Sequence, residues 1–311
     1  MSSSPSLWID NFAMTVGQSG ACAWGISTAE ELPDNIIDKM NLWIEGGNHA
    51  GMEYLQRHVE LKKSLDNVLP GCRSIVSLAF PYFTELKRKP GTITISRHAL
   101  GEDYHSVIKR KLRDLARHVK EKFGGKVRTV VDSAPVAERY WAVKSRVGMI
   151  GRNGLLYVPG FGSWVFLGEI LSTAQLPERK GPATLSQPDQ CRHCSLCIDR
   201  CPGHAIGGSN EIDCNRCRSY LTIENHDKTL PSGINLGNSI YGCDICQEVC
   251  PLNSDIPSHN PDFSPLDKLV SLTPDDIARL DEPEFESLVK GTSIQRITLG
   301  QLKRNAGLQA E

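Results

Sequence analysis

Nine of the eleven cysteines fall between Cys191 and Cys250, and two arrays within that span have spacings that specify metal chemistry. The first reads Cys191-Arg-His-Cys194-Ser-Leu-Cys197-Ile-Asp-Arg-Cys201-Pro202, which is C-x₂-C-x₂-C-x₃-C-P. The second, Cys243-Asp-Ile-Cys246-Gln-Glu-Val-Cys250-Pro251, is the same run without its first member. This spacing belongs to cysteines that hold [4Fe–4S] clusters, and where two clusters are present the fourth cysteine of a run ligates the other one. A structural zinc site would instead show paired C-x₂-C knuckles. The crossover predicts that Cys191, Cys194, Cys197 and Cys250 hold one cluster. Cys201, Cys243 and Cys246 then hold the other, with a fourth thiolate from upstream, either Cys214 or Cys217. Paired clusters relay electrons, so the residues before them must supply whatever the electrons are used for.

The chain that carries this relay has 311 residues, with 40% hydrophobic and 23% charged residues and a formal net charge of -1. That length and apolar content suit one large domain, or two with an appendage, and exclude a disordered chain. No apolar run approaches the ~18 residues of a membrane span. The opening Met1-Ser-Ser-Ser-Pro-Ser-Leu-Trp8 has no basic segment, apolar core or twin arginine, so the expected compartment is the cytosol, where thiols stay reduced. The near-neutral balance argues against non-specific coating of nucleic acid, leaving local basic patches as the means of binding it.

The elements that position the chemistry can be read in outline. Pro33 precedes Ile36, Ile37, Met40 and Trp43 at helical spacing, and Gly46-Gly47 ends that segment. Arg73 to Phe80 is β-rich and stops at Pro81. Between Tyr104 and Phe123, Val107, Ile108, Leu112, Leu115 and Val119 form one face of an amphipathic helix closed by Gly124-Gly125. Val127 to Asp132 reads as another strand, and strand–helix–strand order predicts an α/β layer arrangement. Glycines punctuate Gly148 to Gly168 densely enough for the backbone to approach a bulky flat partner, or else to make a tight hairpin. A polar, Pro-rich linker spans 177–188, and a short helical tail begins near Pro274.

These residues together resemble the epoxyqueuosine reductases, cobalamin-dependent iron–sulfur enzymes of tRNA queuosine biosynthesis. The markers are Gly101-Glu-Asp-Tyr-His105, Val131-Asp-Ser-Ala-Pro135 with Glu138-Arg139, Gly148-Met-Ile-Gly-Arg-Asn153 and Gly162-Ser-Trp-Val-Phe-Leu-Gly-Glu169. Cys217-Arg-Ser-Tyr-Leu-Thr-Ile-Glu224, Gly237-Asn-Ser-Ile-Tyr-Gly-Cys-Asp244 and Arg304-Asn-Ala306 complete them.

The resemblance implies a mixed α+β and α/β architecture: a nitroreductase-like cobalamin-binding domain over 1–178, a ferredoxin-like two-cluster domain over 179–260, and a helical tail over 261–311. It implies two [4Fe–4S] clusters and base-off cobalamin, and it makes Cys217 the open cluster ligand. Asp132 is implied as the proton donor. Its pKa would have to be raised by burial beside the corrin, because an ordinary aspartic acid is ionised at neutral pH. Implied corrin contacts are Ser133, Ala134, Asn153, Leu156, Ser163 and Leu167, with Ser219, Cys243 and Asp244 from the cluster side. His105 is expected to be structural, because residue 108 is isoleucine where a D-x-H-x-x-G cobalt-ligand motif needs glycine.

The implied reaction reduces the epoxide of epoxyqueuosine on tRNA to the alkene of queuosine, consuming two electrons and two protons. The implied partners are the tRNA and an external low-potential electron donor, with the protein a monomer and no membrane involved. Lys62-Lys63, Lys87-Arg-Lys89 and Lys109-Arg-Lys-Leu-Arg113 are candidate tRNA contacts. Longer family members continue past the Arg-Asn-Ala segment into a helical repeat domain. Competing readings are a reductive dehalogenase-like corrinoid enzyme and a ferredoxin-type electron carrier.

Overall fold

The computed structural model describes residues 5–183, 189–208, 211–258 and 261–308. In chain order the first part runs α1 (Pro5–Gln18), β1 (Ala23–Thr28), α2 (Asp34–Glu45), α3 (Tyr54–Lys62), β2 (Ser74–Pro81), β3 (Thr94–Ile95), α4 (Tyr104–Phe123), β4 (Val127–Val130), α5 (Glu138–Lys144), β5 (Met149–Ile150), β6 (Leu156–Tyr157) and β7 (Val165–Ser172). The cysteine-rich part contains α6 (Asp189–Arg192), α7 (Leu196–Asp199), α8 (Arg218–Ile223), β8 (Ser239–Tyr241) and α9 (Ile245–Glu248). Four helices follow: α10 (Asp267–Val270), α11 (Pro274–Arg279), α12 (Glu282–Val289) and α13 (Leu299–Asn305).

The main sheet has the order β1-β2-β7-β4, and every neighbouring pair is antiparallel. β2 and β4 therefore point the same way with α4 between them in sequence, as strand–helix–strand order predicts. β7, arriving from far downstream, pairs between them. Alternation along β2 sorts the two faces. Val76, Leu78 and Phe80 join the core under α1 and α4, whereas Ile75 joins the core under α2, α3 and α5. On β7, Phe166 and Ile170 take the first face, while Leu171 takes the second. Gly168 lies where α4 crosses β7, and a Cβ there would stand 2.8 Å from Ile108 Cγ2.

The glycine-punctuated stretch is the tight hairpin β5–β6 followed by β7. Its glycines accommodate the chain's own packing: at Gly162, φ is +64°, and a Cβ would collide with Asn253 Oδ1. The sequence reading does not anticipate α1, although Trp8, Phe12 and Val16 recur every four residues and are buried against α4 and the sheet.

A second body of core forms around the two-stranded sheet β3–β8. Ile93, Ile95, Leu100, Ile240 and Tyr241 pack there against Leu269, Ile277, Phe285, Ile294 and Leu302 of the tail. Arg304 and Asn305 lock this arrangement through buried hydrogen bonds. Arg304 donates to Leu221 O at 2.9 Å and to Asn225 Oδ1 at 2.9 Å. Asn305 Nδ2 donates to Thr222 O at 2.8 Å and to Ile240 O at 2.9 Å. The tail thus grips both α8, which follows Cys217, and β8, which precedes Cys243. Among the described residues no helix is long and apolar enough to cross a membrane.

Candidate active site

Asp132 follows β4 on a short loop and has φ +56°, a left-handed conformation in which aspartate is among the better tolerated non-glycine residues. Protein surrounds it on most sides, yet its side chain is 55% exposed, as expected inside an open cleft. The cleft has a volume of about 380 Å³. Around Asp132 it is lined by His98, Tyr104 and His105 at the start of α4, by Glu224 and Tyr241 of the cysteine-rich part, and by Arg296 of the tail. Sequence reasoning assigned no role here to Tyr104, Glu224, Tyr241 or Arg296, and the tail's share depends on packing between distant segments. The turn that carries Arg296 is fixed at both sides. Asp103 N donates to Gly291 O at 2.8 Å, and Tyr241 OH donates to Ser293 O at 2.7 Å. Arg296 pairs with Glu224 at 2.5 Å.

The electrostatics differ from the sequence expectation. Hydrogen bonding from His105 holds the Asp132 carboxyl below the usual carboxylate range; burial opposes this, and the bond from Tyr104 reinforces it. Tyr104 OH donates to Asp132 Oδ2 at 2.8 Å, and His105 Nε2 lies 3.3 Å from the same oxygen. On its other side, His105 Nδ1 is 2.7 Å from Asp103 Oδ1. Burial disfavours a charged imidazole, but the two aspartates outweigh it and lift His105 to about 9. At neutral pH the proton therefore resides on the imidazole, one hydrogen bond from Asp132, rather than on a neutral aspartic acid. His105 is thus held between Asp103 and Asp132.

The cysteines separate into two groups. Cys197 lies within electrostatic reach of Cys250, Cys191 and Cys194, and these four line one small cavity together with Arg152, Asn153 and Leu196. Cys246 senses Cys243, Cys217 and Cys201 most strongly. Cys214 stands beside Cys217, and the neighbours that perturb it include none of Cys201, Cys243 or Cys246. Burial raises the Cys243 thiol to about 11 and that of Cys214 to about 12. Backbone N–H groups also point at several of the sulfurs. Arg152 N donates to Cys191 Sγ at 3.4 Å, Ala205 N to Cys201 Sγ at 3.3 Å, and the amides of Ser219 and Tyr220 to Cys217 at the start of α8. Among the described residues no three His, Cys, Asp or Glu side chains converge on a point that would hold a single metal ion. The first cysteine group rings a cavity instead, a donor set suited to a cluster rather than to one zinc.

The other residues singled out from the sequence have definite positions. Ser133 is exposed and Ala134 half-buried on the Asp132 loop. Asn153 is buried and donates to Cys246 O at 3.4 Å. Leu156 is buried in the core around β5 and β6, with Leu167 packed against it. Ser163 belongs to a buried lattice in which Gln247 Nε2 donates to its carbonyl at 3.0 Å and Asn253 Nδ2 to its hydroxyl at 2.9 Å. Ser219 is half-buried beside Cys217. Asp244 is 5% exposed, and its carboxylate accepts bonds from the Ser96 hydroxyl and from Arg97 N, tying the cysteine-rich part to the strand region before α4. Of the basic candidates, Arg88 donates to Ile95 O, Lys111 bonds Asp262, and Arg110 pairs with Glu102. Lys62 turns toward Arg139 and Glu138.

Comparison with known proteins agrees with both halves of this picture. A family model described as "Epoxyqueuosine reductase QueG, DUF1730" matches residues 63–133, and a "4Fe-4S double cluster binding domain" matches residues 190–253. An epoxyqueuosine reductase of Gloeobacter violaceus is 36% identical over 291 residues, covering 91% of this chain and 89% of the relative. One from Cellulophaga algicola is 33% identical over 292 residues, covering 92% of each. A crystal structure of epoxyqueuosine reductase with an epoxyqueuosine-modified tRNA-Tyr stem loop superposes with a TM-score of 0.87 at 26% identity, covering 97% of this chain and 80% of that one. A Bacillus subtilis epoxyqueuosine reductase, solved with its catalytic aspartate loop swung out of the active site, gives 0.86 at 26% identity with the same coverage. The mixed α/β sheet ending at Asp132, the double-cluster cysteine pattern and these likenesses over nearly the whole length together place the chain in the epoxyqueuosine reductase family.

Proposed function

We propose that this protein reduces the epoxide of epoxyqueuosine in tRNA to the alkene of queuosine, with Asp132 and His105 delivering protons. The observation that carries the reading is the pair itself: an imidazole 3.3 Å from an accessible carboxylate, lining a cleft of about 380 Å³. Family membership supplies the substrate class. In this reading the chain divides into a nitroreductase-like unit over 1–178, a two-cluster unit over 179–260 and a tail over 261–311. It works as a cytoplasmic monomer with an external low-potential electron donor.

The two cysteine groups fit two [4Fe–4S] clusters, one held by Cys191, Cys194, Cys197 and Cys250 and the other by Cys201, Cys217, Cys243 and Cys246. A corrin is accommodated by the open side of the Asp132 loop. Arg139, next to Glu138 on α5, donates to Gly154 O and lies within electrostatic reach of both Asp132 and Cys214. Ser133 and Ala134 on the Asp132 loop and Ser219 beside Cys217 would hold the corrin's edge. A cobalamin held there would supply the reducing nucleophile for the epoxide, with the clusters relaying its electrons.

The protein's own part is proton management. Opening the epoxide puts developing negative charge on its oxygen, and Asp132 Oδ2 is the acceptor through which the His105 proton can be passed to that oxygen. Asp103 holds the imidazole in register. A positioned acid of this kind contributes on the order of 10²–10⁴-fold. Glu224 and Arg296, on the opposite wall, bracket the nucleoside.

The test is an anaerobic assay with epoxyqueuosine-containing tRNA, cobalamin and a low-potential reductant, following queuosine by mass spectrometry. Product formation that needs both cobalamin and reductant is expected. Fully cluster-loaded protein that binds corrinoid yet forms no queuosine would overturn the reading.

A further inference from the structure

The Asp132 loop is held by a group that the chemistry above does not use. Asp132 N donates to Glu138 Oε1 at 2.6 Å, so a carboxyl at the first turn of α5 reaches back to grip the left-handed residue. Beneath Glu138 lies Glu169, fully buried at the centre of β7, on the face covered by α5 and directly opposite Ser77 of β2. Apart from the Glu138 carboxyl, with which it makes a side-chain hydrogen bond when one of the two is protonated, neither Glu169 oxygen has a partner among the described groups. Burying a lone carboxylate in a sheet interior costs several kcal/mol, so such a group is retained as the neutral acid or shares a proton with a neighbour.

We propose that Glu138 is a positioning residue that holds Asp132 in the cleft, and that Glu169 keeps the Glu138 carboxyl aimed at the loop by sharing one proton with it. This rests on Asp132 being the proton donor. The loop needs such a latch, because a left-handed aspartate is strained unless its surroundings over-determine it, and the corresponding loop of the Bacillus subtilis enzyme has been seen outside its active site. Burial and the neighbouring Asp132 charge raise Glu138 to about 7, and burial together with Glu138 raises Glu169 well above the carboxylate range, so one proton is retained between them at neutral pH. The charged groups that face Glu138 are Asp132 on its loop, Arg139 on α5, Glu169 on β7 and Lys62 on α3. Asp132 favours its protonation, while the hydrogen bond from Glu169 and the charge of Lys62 oppose it.

The experiment compares Glu138→Ala, Glu138→Gln and Asp132→Asn in the cluster-loaded holoenzyme. It measures kcat, KM for the modified tRNA stem loop, and hydrogen–deuterium exchange of the 131–137 segment. Glu138→Ala removes the acceptor; kcat is expected to fall about 10²-fold with KM within a factor of two, as for a donor displaced by about an ångström, while exchange in 131–137 accelerates. Glu138→Gln keeps a carbonyl acceptor and should restore both exchange protection and most of kcat. If Asp132→Asn is inactive while Glu138→Ala turns over normally, the latch is refuted and the donor assignment stands. Equal losses in Glu138→Ala and Glu138→Gln without faster exchange also refute it. Normal turnover by Asp132→Asn refutes the donor assignment first.

Discussion

His105 Nε2 and Asp132 Oδ2 stand 3.3 Å apart, and the imidazole, lifted to about 9, is the member of the pair that carries the proton. Activity should accordingly hold across neutral pH and fall as pH rises through about 9. In His105→Gln the alkaline limb should move or vanish and kcat should drop about 10²-fold, the low end of general-acid effects. A pH–rate profile of the variant with the wild-type alkaline limb would remove His105 from proton delivery. The same ionisation stabilises the fold. That contribution is complete below the ordinary histidine value near 6.5 and is lost as pH rises through about 9, which thermal unfolding across this window would register.

Asp132→Asn preserves the size of the side chain and its loop while removing the carboxylate that passes the proton. Turnover should fall by about 10²–10⁴-fold with iron content unchanged. Single-turnover assay on protein matched for iron separates this from loss of cofactor.

Cys214 and Cys217 lie three residues apart yet fall into different environments, since only Cys217 senses Cys201 and takes amide bonds from the start of α8. Replacing Cys217 by serine should therefore cost the second cluster, lowering iron from about eight to about four atoms per chain, whereas Cys214→Ser should keep about eight. Iron quantification after anaerobic reconstitution decides it, and equal iron in the two variants would contradict the assignment.

Gly168 accepts α4 so closely that alanine there would press its Cβ to 2.8 Å from Ile108. Gly168→Ala should destabilise the protein by about 1–3 kcal/mol through overpacking. Chemical denaturation is the measurement, and a midpoint no lower than wild type would show that α4 can shift without penalty.

Much of this was legible in the sequence because it was local. The cysteine spacings announced themselves, α4 showed its apolar face, and Asp132 fell at the end of a β-rich run. The pairing of β7 between β2 and β4 was not legible, since contacts between segments so far apart leave no periodic trace. Nor was the approach of Arg296 to Glu224 across the cleft. The proton's location was hidden for a similar reason. Asp132 taken alone suggested a carboxyl raised by burial, whereas the folded chain sets Tyr104 and His105 against it and reverses the sign. The dense glycines of 148–168 left a flat partner and a tight hairpin both open; the hairpin is there as β5–β6, and at Gly162 and Gly168 the space is taken by Asn253 and α4.

Arg304 and Asn305 fasten α8 and β8, the segments that run between Cys217 and Cys243, yet they are synthesised after all nine of the clustered cysteines. A growing polypeptide consequently exposes its thiols to iron, oxygen and one another before the clasp that organises half of them exists. Iron delivered during translation would meet a pliable acceptor, and iron delivered afterwards would meet a finished cage. The order of synthesis would thereby couple loading of the second cysteine group to docking of α13.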